Sequence, residues 1–398
     1  MPSQIRSRFT LAQRMRGVNP FRVMTVLERA RTLESQGRHI VHLEVGEPDF
    51  VTAAPILEAG RTALAQGHTS YTPAAGLPQL RERIAAFYRS DYDVDIAPQR
   101  IFVTPGASGG LSLLAQLLLN PGDGVLMSDP GYPCNRNYVR LAGGEAQLVE
   151  VGADTRYQVA PELLERHRTE RTRGVWIASP GNPTGTVLDI AGLQGLSAWT
   201  DRHNLHLLVD EIYHGLDYTE GLPTALQVSD DALVVNSFSK YFGMTGWRLG
   251  WFVVPEPLVA ASNILAQNLF IAASTVAQYA ALRAFDLDTR EILEERRVAF
   301  AQRRDFLTGV LQELGFAVPV ATEGAFYIYA GIDKFGDDSE YFCHALLEHF
   351  GVAVTPGTDF GDFENRRHVR FAFTTSMEQL QVAADRLRVA VNSGRLRR

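Results

Sequence analysis

Asn236-Ser237-Phe238-Ser239-Lys240-Tyr241-Phe242-Gly243-Met244-Thr245-Gly246-Trp247-Arg248-Leu249-Gly250-Trp251 is the stretch on which the reading of this chain turns. It holds one of only two lysines, Lys240 and Lys334; removing these from the 38 basic residues leaves 36 arginines. Arginine stays protonated, whereas a partly buried lysine can lose its proton and form a Schiff base, so that chemistry is open to these two positions alone. Lys334 lies in Gly331-Ile332-Asp333-Lys334-Phe335-Gly336-Asp337-Asp338, a polar turn where a solvated charge is expected. Lys240 follows the apolar run Leu233 to Val235 and two serines expected to face one way on a strand. Taken alone it suits a surface position at a strand end; its neighbours argue for more.

The 398 residues suffice for a large core, in two domains or one domain with a lobe. Composition is ordinary for a globular protein, 45% hydrophobic and 21% charged, and a net charge of -7 does not suggest a nucleic-acid binder. Cys134 and Cys343 stand far apart without CxxC or Cys/His clustering, which argues against a disulfide framework or zinc site and for a reducing cytoplasm. No apolar run approaches the ~20 residues that span a bilayer. Arg6, Arg8, Arg14, Arg16 and Arg22 stand in an N-terminal segment without acids, like a transit peptide in composition. Pro20 interrupts it and no secretory apolar region follows, so it reads as a basic arm on the folded protein.

Outward from the opening stretch the rhythm is strand, turn, helix. The short apolar runs are Ile101 to Val103, Val125 to Met127, Gln147 to Val151, Val175 to Ala178, Leu205 to Val209, Leu233 to Asn236 and Leu249 to Val254. Several are continuous rather than alternating, as in strands buried on both faces, which predicts a mainly parallel sheet covered by helices. Upstream, helical spacing covers 22–36, 54–66 and 77–88, with a strand at 40–45 before the irregular Gly46-Glu47-Pro48-Asp49-Phe50. Downstream, helices are expected over 258–285 and 290–314. A separate α+β lobe follows, with strands at 325–329, 352–354 and 368–373 and helices at 339–350 and the C-terminus.

Several turns in this rhythm carry chemically useful residues. Val103-Thr104-Pro105-Gly106-Ala107-Ser108-Gly109-Gly110 joins a strand to a helix; its small residues let an anion approach the amides of the helix start, although a plain tight turn fits as well. Ser237, Ser239 and Arg248 offer hydroxyls and a guanidinium suited to the same phosphate. Asp210, at the carboxyl end of a buried strand, is either a helix cap or the partner of a protonated ring nitrogen. Asn182, in Ser179-Pro180-Gly181-Asn182-Pro183-Thr184-Gly185, and Tyr132, after Asp129-Pro130-Gly131, follow other strand ends; Asn182 could equally be just a turn residue, and Tyr132 could stack on a planar ligand or simply pack. Arg370 sits inside the apolar strand His368 to Phe373, where a substrate carboxylate and a structural salt bridge are equal alternatives. The histidine pairs at 39/42 and 203/206 lack the carboxylates and helical run of a metal site.

Together these residues resemble the class I aminotransferases of the aspartate aminotransferase fold, which use pyridoxal 5'-phosphate (PLP). The resemblance runs from about Pro20 to the end, and the Ser237-Phe238-Ser239-Lys240 to Trp251 motif is its most specific part. It implies an α/β fold of type I, with a large domain whose mainly parallel seven-stranded sheet is sandwiched by helices, and a smaller α+β domain. The expected division is 1–49 (arm and part of the small domain), 50–285 (large domain) and 286–398 (small domain). It further implies that Lys240 holds PLP as an internal aldimine, that Asp210 pairs with the pyridine nitrogen, and that Tyr213 and Asn182 hydrogen-bond the phenolic oxygen. Tyr132 would stack on the ring. Ala107, Ser108, Ser237, Ser239, Arg248 and the other subunit's Tyr71 would hold the phosphate, which makes a homodimer part of the expectation. Arg370, Asn182 and the Gly46 backbone would bind the substrate α-carboxylate.

The chain departs from the family at Ser108, where one branch of aspartate-using relatives has a lysine, and at Thr322, where a proline is usual. The expected activity is transfer of an amino group from an L-amino acid to a 2-oxo acid. A PLP lyase or synthase, such as a carbon-sulfur lyase or aminocyclopropane-carboxylate synthase type, would share nearly every cofactor residue. A regulator built on the same domain would need a DNA-binding segment, and the residues before the sheet carry no helix-turn-helix pattern.

Overall fold

The computed structural model describes residues 9–219 and 221–397, so Arg6 and Arg8 of the basic arm lie outside the described residues. Its largest sheet has seven strands: β2 (Ile101–Thr104), β3 (Gly124–Asp129), β4 (Glu145–Glu150), β5 (Thr172–Ala178), β6 (His206–Asp210), β7 (Leu233–Ser237) and β8 (Gly250–Val253). Their spatial order is β2-β8-β7-β6-β5-β3-β4, parallel throughout except that β8 runs antiparallel to both neighbours. Alternate residues enter different packing layers: Val125, Met127, Trp176, Leu208 and Val235 one, Leu126, Val175, Ile177, Val209 and Val234 the other. Burial on both faces is the physical origin of the continuous apolar runs.

The remaining strands are β1 (Val41–His42), β9 (Tyr327–Gly331), β10 (Val352–Ala353), β11 (Thr355–Pro356) and β12 (His368–Ala372). They form an antiparallel sheet β11-β12-β9 and a short parallel pair β1-β10. The helix Leu287–Leu314 packs against the helix Met377–Asn392 and against β9, and ends at Gly315 in the left-handed region. Arg303 on that helix grips Asp49 with two bonds of 2.8 and 3.0 Å, tying it to the irregular segment after β1.

Four local expectations are corrected. The strand expected over 40–45 pairs only at Val41 and His42; beyond it Leu43 still bonds Ala353 and Ala372, joining the two small sheets as extended chain. The strand expected at 325–329 begins at Tyr327, because Ala325 has φ of 58° and cannot extend the ladder. The helix expected over 258–285 breaks after Leu269, where Ile271 turns to φ of 64°, and restarts at Thr275 with Ser274 capping it. Ser239 does not share the strand with Ser237: β7 ends at Ser237, whose Oγ accepts from the Ser239 amide at 3.0 Å in a turn.

Candidate active site

The carboxyl ends of β2, β3, β5, β6 and β7 reach the same edge of the large sheet, where open α/β sheets bind ligands. From these ends come Gly106 to Ser108, Tyr132, Asn182, Asp210 with Tyr213, and Ser239 with Lys240. Arg370 arrives from β12 in the smaller sheet and Gly46 from the segment after β1.

Lys240 is half-buried; its Nζ donates to the Gly46 carbonyl at 2.7 Å and lies 5.7 and 5.5 Å from the ring centroids of Tyr213 and Phe326. Burial, and then the Arg370 charge, push its amine down to about 8. Asp210 is 3% exposed; its carboxylate accepts from Asn135 Nδ2 at 3.5 Å and the Ile212 amide at 3.2 Å, and no ion pair reaches it among the described residues. Burial pushes it up to about 6, against the opposing pull of its two hydrogen bonds and the nearby Lys240 charge. Tyr213 Oη lies 2.9 Å from Tyr327 Oη, and burial raises its phenol well above the usual range.

Arg370 is 2% exposed, with its guanidinium carbon 4.2 Å from the Tyr327 ring centroid and 4.8 Å from that of Phe360. It donates to Asn182 Oδ1 at 2.9 Å and to the Glu44 carbonyl at 2.5 Å, while Nε has no partner among the described residues. All of those acceptors are neutral, and among the described residues no carboxylate comes within ion-pair distance of the guanidinium, although Asp359 feels its charge. Arg248, itself in the left-handed region, reaches Ser239 Oγ at 3.5 Å and the Thr245 carbonyl at 2.9 Å. Its Nη2 would lie 2.6 Å from a side chain at Gly106, so glycine is needed for this approach to the start of the helix Gly106–Leu118. Ser237, Ser239, Arg248 and the Gly106 loop thus share one corner.

Tyr132 begins the helix Pro133–Leu141, its ring edge-on to Phe21 at 5.9 Å. Ser108 is exposed at the helix start. Tyr71 stands apart, 81% exposed, and among the described residues no hydrogen bond or ring contact links it to this cluster. Sequence reasoning missed Asn135 and Tyr327. Asn135 follows Tyr132 by three residues, which places it on the same face of the first helical turn. Tyr327 could be read as a strand residue, but its partners come from distant segments. Thr322, in place of the usual proline, closes its loop by donating to the Tyr327 carbonyl at 2.9 Å.

Residues 38–387 match the family model described as "Aminotransferase class I and II". The chain belongs to this family. The aminotransferase is 37% identical to a valine–pyruvate aminotransferase of Mycobacterium tuberculosis, over 93% of this chain and 96% of that one. It is 36% identical to an aspartate/prephenate aminotransferase of Thermus thermophilus, over 94% and 97%. A crystal structure of an aminotransferase from Mycobacterium tuberculosis superposes with a TM-score of 0.92 at 36% identity, covering 97% of this chain and 100% of that one. The α/β fold and the activity, amino-group transfer to a 2-oxo acid, follow; these matches do not favour the lyase alternative.

The family uses PLP, and unsatisfied groups in this aminotransferase test the fit. A buried Asp210 with no direct ion-pair partner among the described residues suits a protonated pyridine, and a guanidinium beside Ser239 at a helix start suits a phosphate. A buried Arg370 with an unpartnered Nε suits a substrate carboxylate. The residues fit the cofactor. Among the described residues no helix is long and apolar enough to cross a membrane.

Proposed function

We propose that this aminotransferase carries PLP on Lys240 and binds donor and acceptor in turn at one site formed by Arg370, Asn182 and the Gly46 backbone. The Lys240 amine carries this reading. It is half-buried, aimed at the Gly46 carbonyl and held at about 8 by burial and neighbouring cations, so part of it is unprotonated near neutrality.

The bound cofactor supplies an electron sink for charge developing at the substrate α-carbon. Asp210 would face the pyridine nitrogen; a proton held there restores the carboxylate that burial alone leaves near its midpoint at about 6. Tyr213 and Asn182 would donate to the phenolic oxygen. Asn182 Oδ1 already accepts from Arg370, which leaves its Nδ2 for that bond. Tyr132 would cover the ring. The Ala107 and Ser108 amides, Ser237, Ser239, Arg248 and the partner subunit's Tyr71 would hold the phosphate, with Tyr71 exposure supporting a homodimer. Lys240, displaced by the donor's amine, would carry the proton to and from the α-carbon. The division at 49/50 and 285/286 and a cytoplasmic location belong to the same proposal.

The relatives' names supply the first donors of a panel, valine and aspartate; aromatic amino acids extend it, each donor run against pyruvate and 2-oxoglutarate. One new amino acid per 2-oxo acid released supports transfer through this site. Ammonia and pyruvate from a donor without any acceptor would refute it. Lys240→Ala should lose turnover and the bound cofactor's visible absorbance while remaining a folded dimer.

A further inference from the structure

Tyr327, the first residue of β9, is 2% exposed and meets three parts of the site. Its hydroxyl is 2.9 Å from Tyr213 Oη, and its ring centroid is 4.2 Å from the Arg370 guanidinium carbon. The Gly46 backbone passes so close that any side chain there would overlap the phenol oxygen, and the Gly46 carbonyl takes the Lys240 amine. The charged and titratable groups facing the phenol pair are Lys240, Arg370 and Tyr132.

Each phenol has one proton and can also accept. In the function proposed above, on which this inference rests, Tyr213 gives its proton to the cofactor's phenolic oxygen. The proton between the two tyrosines must then come from Tyr327. A hydroxyl that accepts such a bond becomes a stronger donor through its own hydrogen. Below the hydroxyl, the ring face supports the Arg370 cation.

We infer that Tyr327 is a positioning residue with two separable parts. Its hydroxyl fixes and strengthens the bond that Tyr213 gives the cofactor, and its ring seats Arg370 for the substrate carboxylate.

Tyr327→Phe removes one oxygen and keeps the ring. In the loaded enzyme, KM should stay within about twofold while kcat falls, because the ring contact persists. The cofactor's visible band should titrate about half to one pH unit higher, the size of one neutral hydrogen bond. The direction follows from a weaker donor at the phenolic oxygen: that oxygen holds more charge, and the nearby proton leaves at higher pH. Tyr327→Leu removes the ring too and should also raise KM about fivefold. In a Tyr213→Phe background, Tyr327→Phe should shift the band no further, since it acts through Tyr213.

A Tyr327→Phe band that titrates as in the unaltered enzyme, or shifts that add in the double variant, would overturn the inference. If Tyr213→Phe alone moves nothing, the assignment of Tyr213 fails, and this inference with it. Should Tyr327→Leu not fold, the phenylalanine pair decides.

Discussion

Asp210→Asn should stabilise the cofactor-free enzyme while damaging the loaded one. Burial raises the carboxyl from 3.8 to about 6, and each tenfold change in its proton affinity corresponds to about 1.4 kcal/mol. Below pH 3.8 it is protonated whether folded or unfolded and contributes no difference. Between that value and about 6 the folded chain keeps a proton that the unfolded chain has released, so stability falls as pH rises. Above about 6 the full cost, about 3 kcal/mol, is present. Asparagine keeps the shape and an acceptor for the Ile212 amide without the charge. Thermal denaturation of the cofactor-free protein at pH 8 should therefore show Asp210→Asn melting about 3 to 4 °C higher, given the usual unfolding entropy for a chain of this length. At pH 5 the gain should be about half as large in free energy. In the loaded enzyme the order reverses, since the variant gives no anion to the pyridine nitrogen; cofactor release should be faster and turnover lower. A cofactor-free variant that melts lower, or a gain that does not change with pH, would refute the reasoning.

Two further outcomes are expected. Arg370→Ala should raise KM for donor and acceptor alike with a smaller effect on kcat; losing one half of a desolvated charge pair costs about 2 to 5 kcal/mol in kcat/KM. Unchanged substrate affinity would assign Arg370 to packing instead. Uptake of PLP by the cofactor-free enzyme should speed up with rising pH and level off above about 8, where burial has placed the Lys240 amine, and stopped-flow absorbance would follow it. A rate still climbing at pH 10 would mean an ordinary solvated lysine.

The large sheet was legible because burial on both faces writes unbroken apolar runs such as Val175 to Ala178 and Leu233 to Val235 into the sequence. The α/β class with seven strands follows from them. The smaller sheet was legible in outline only: β1 pairs over two residues and continues by bonds to two different strands, a pattern without sequence periodicity. The break after Leu269 carries no Gly or Pro; Ser274 as a new cap was the available signal. At the site, Lys240 stood out because lysine is rare here, and Asp210 because a carboxylate ends an apolar run. Tyr327 and Asn135 did not, since their contacts are made with residues far away in sequence, such as Tyr213 and Asp210, 114 and 75 positions off. The Arg370 alternatives, balanced in sequence, turn on which atoms surround the guanidinium, and sequence cannot supply these; its hydrogen-bond acceptors are neutral, which favours the carboxylate-binding reading proposed above.

The central claim is that Lys240 bears the cofactor, and the chain has only one other lysine. Borohydride reduction of the loaded enzyme should fix PLP to whichever lysine carries it, and peptide mass mapping can read the position. The account predicts the added mass on the peptide containing Lys240 and none on that containing Lys334. Label on Lys334, or an active loaded enzyme with no label on Lys240, would contradict it.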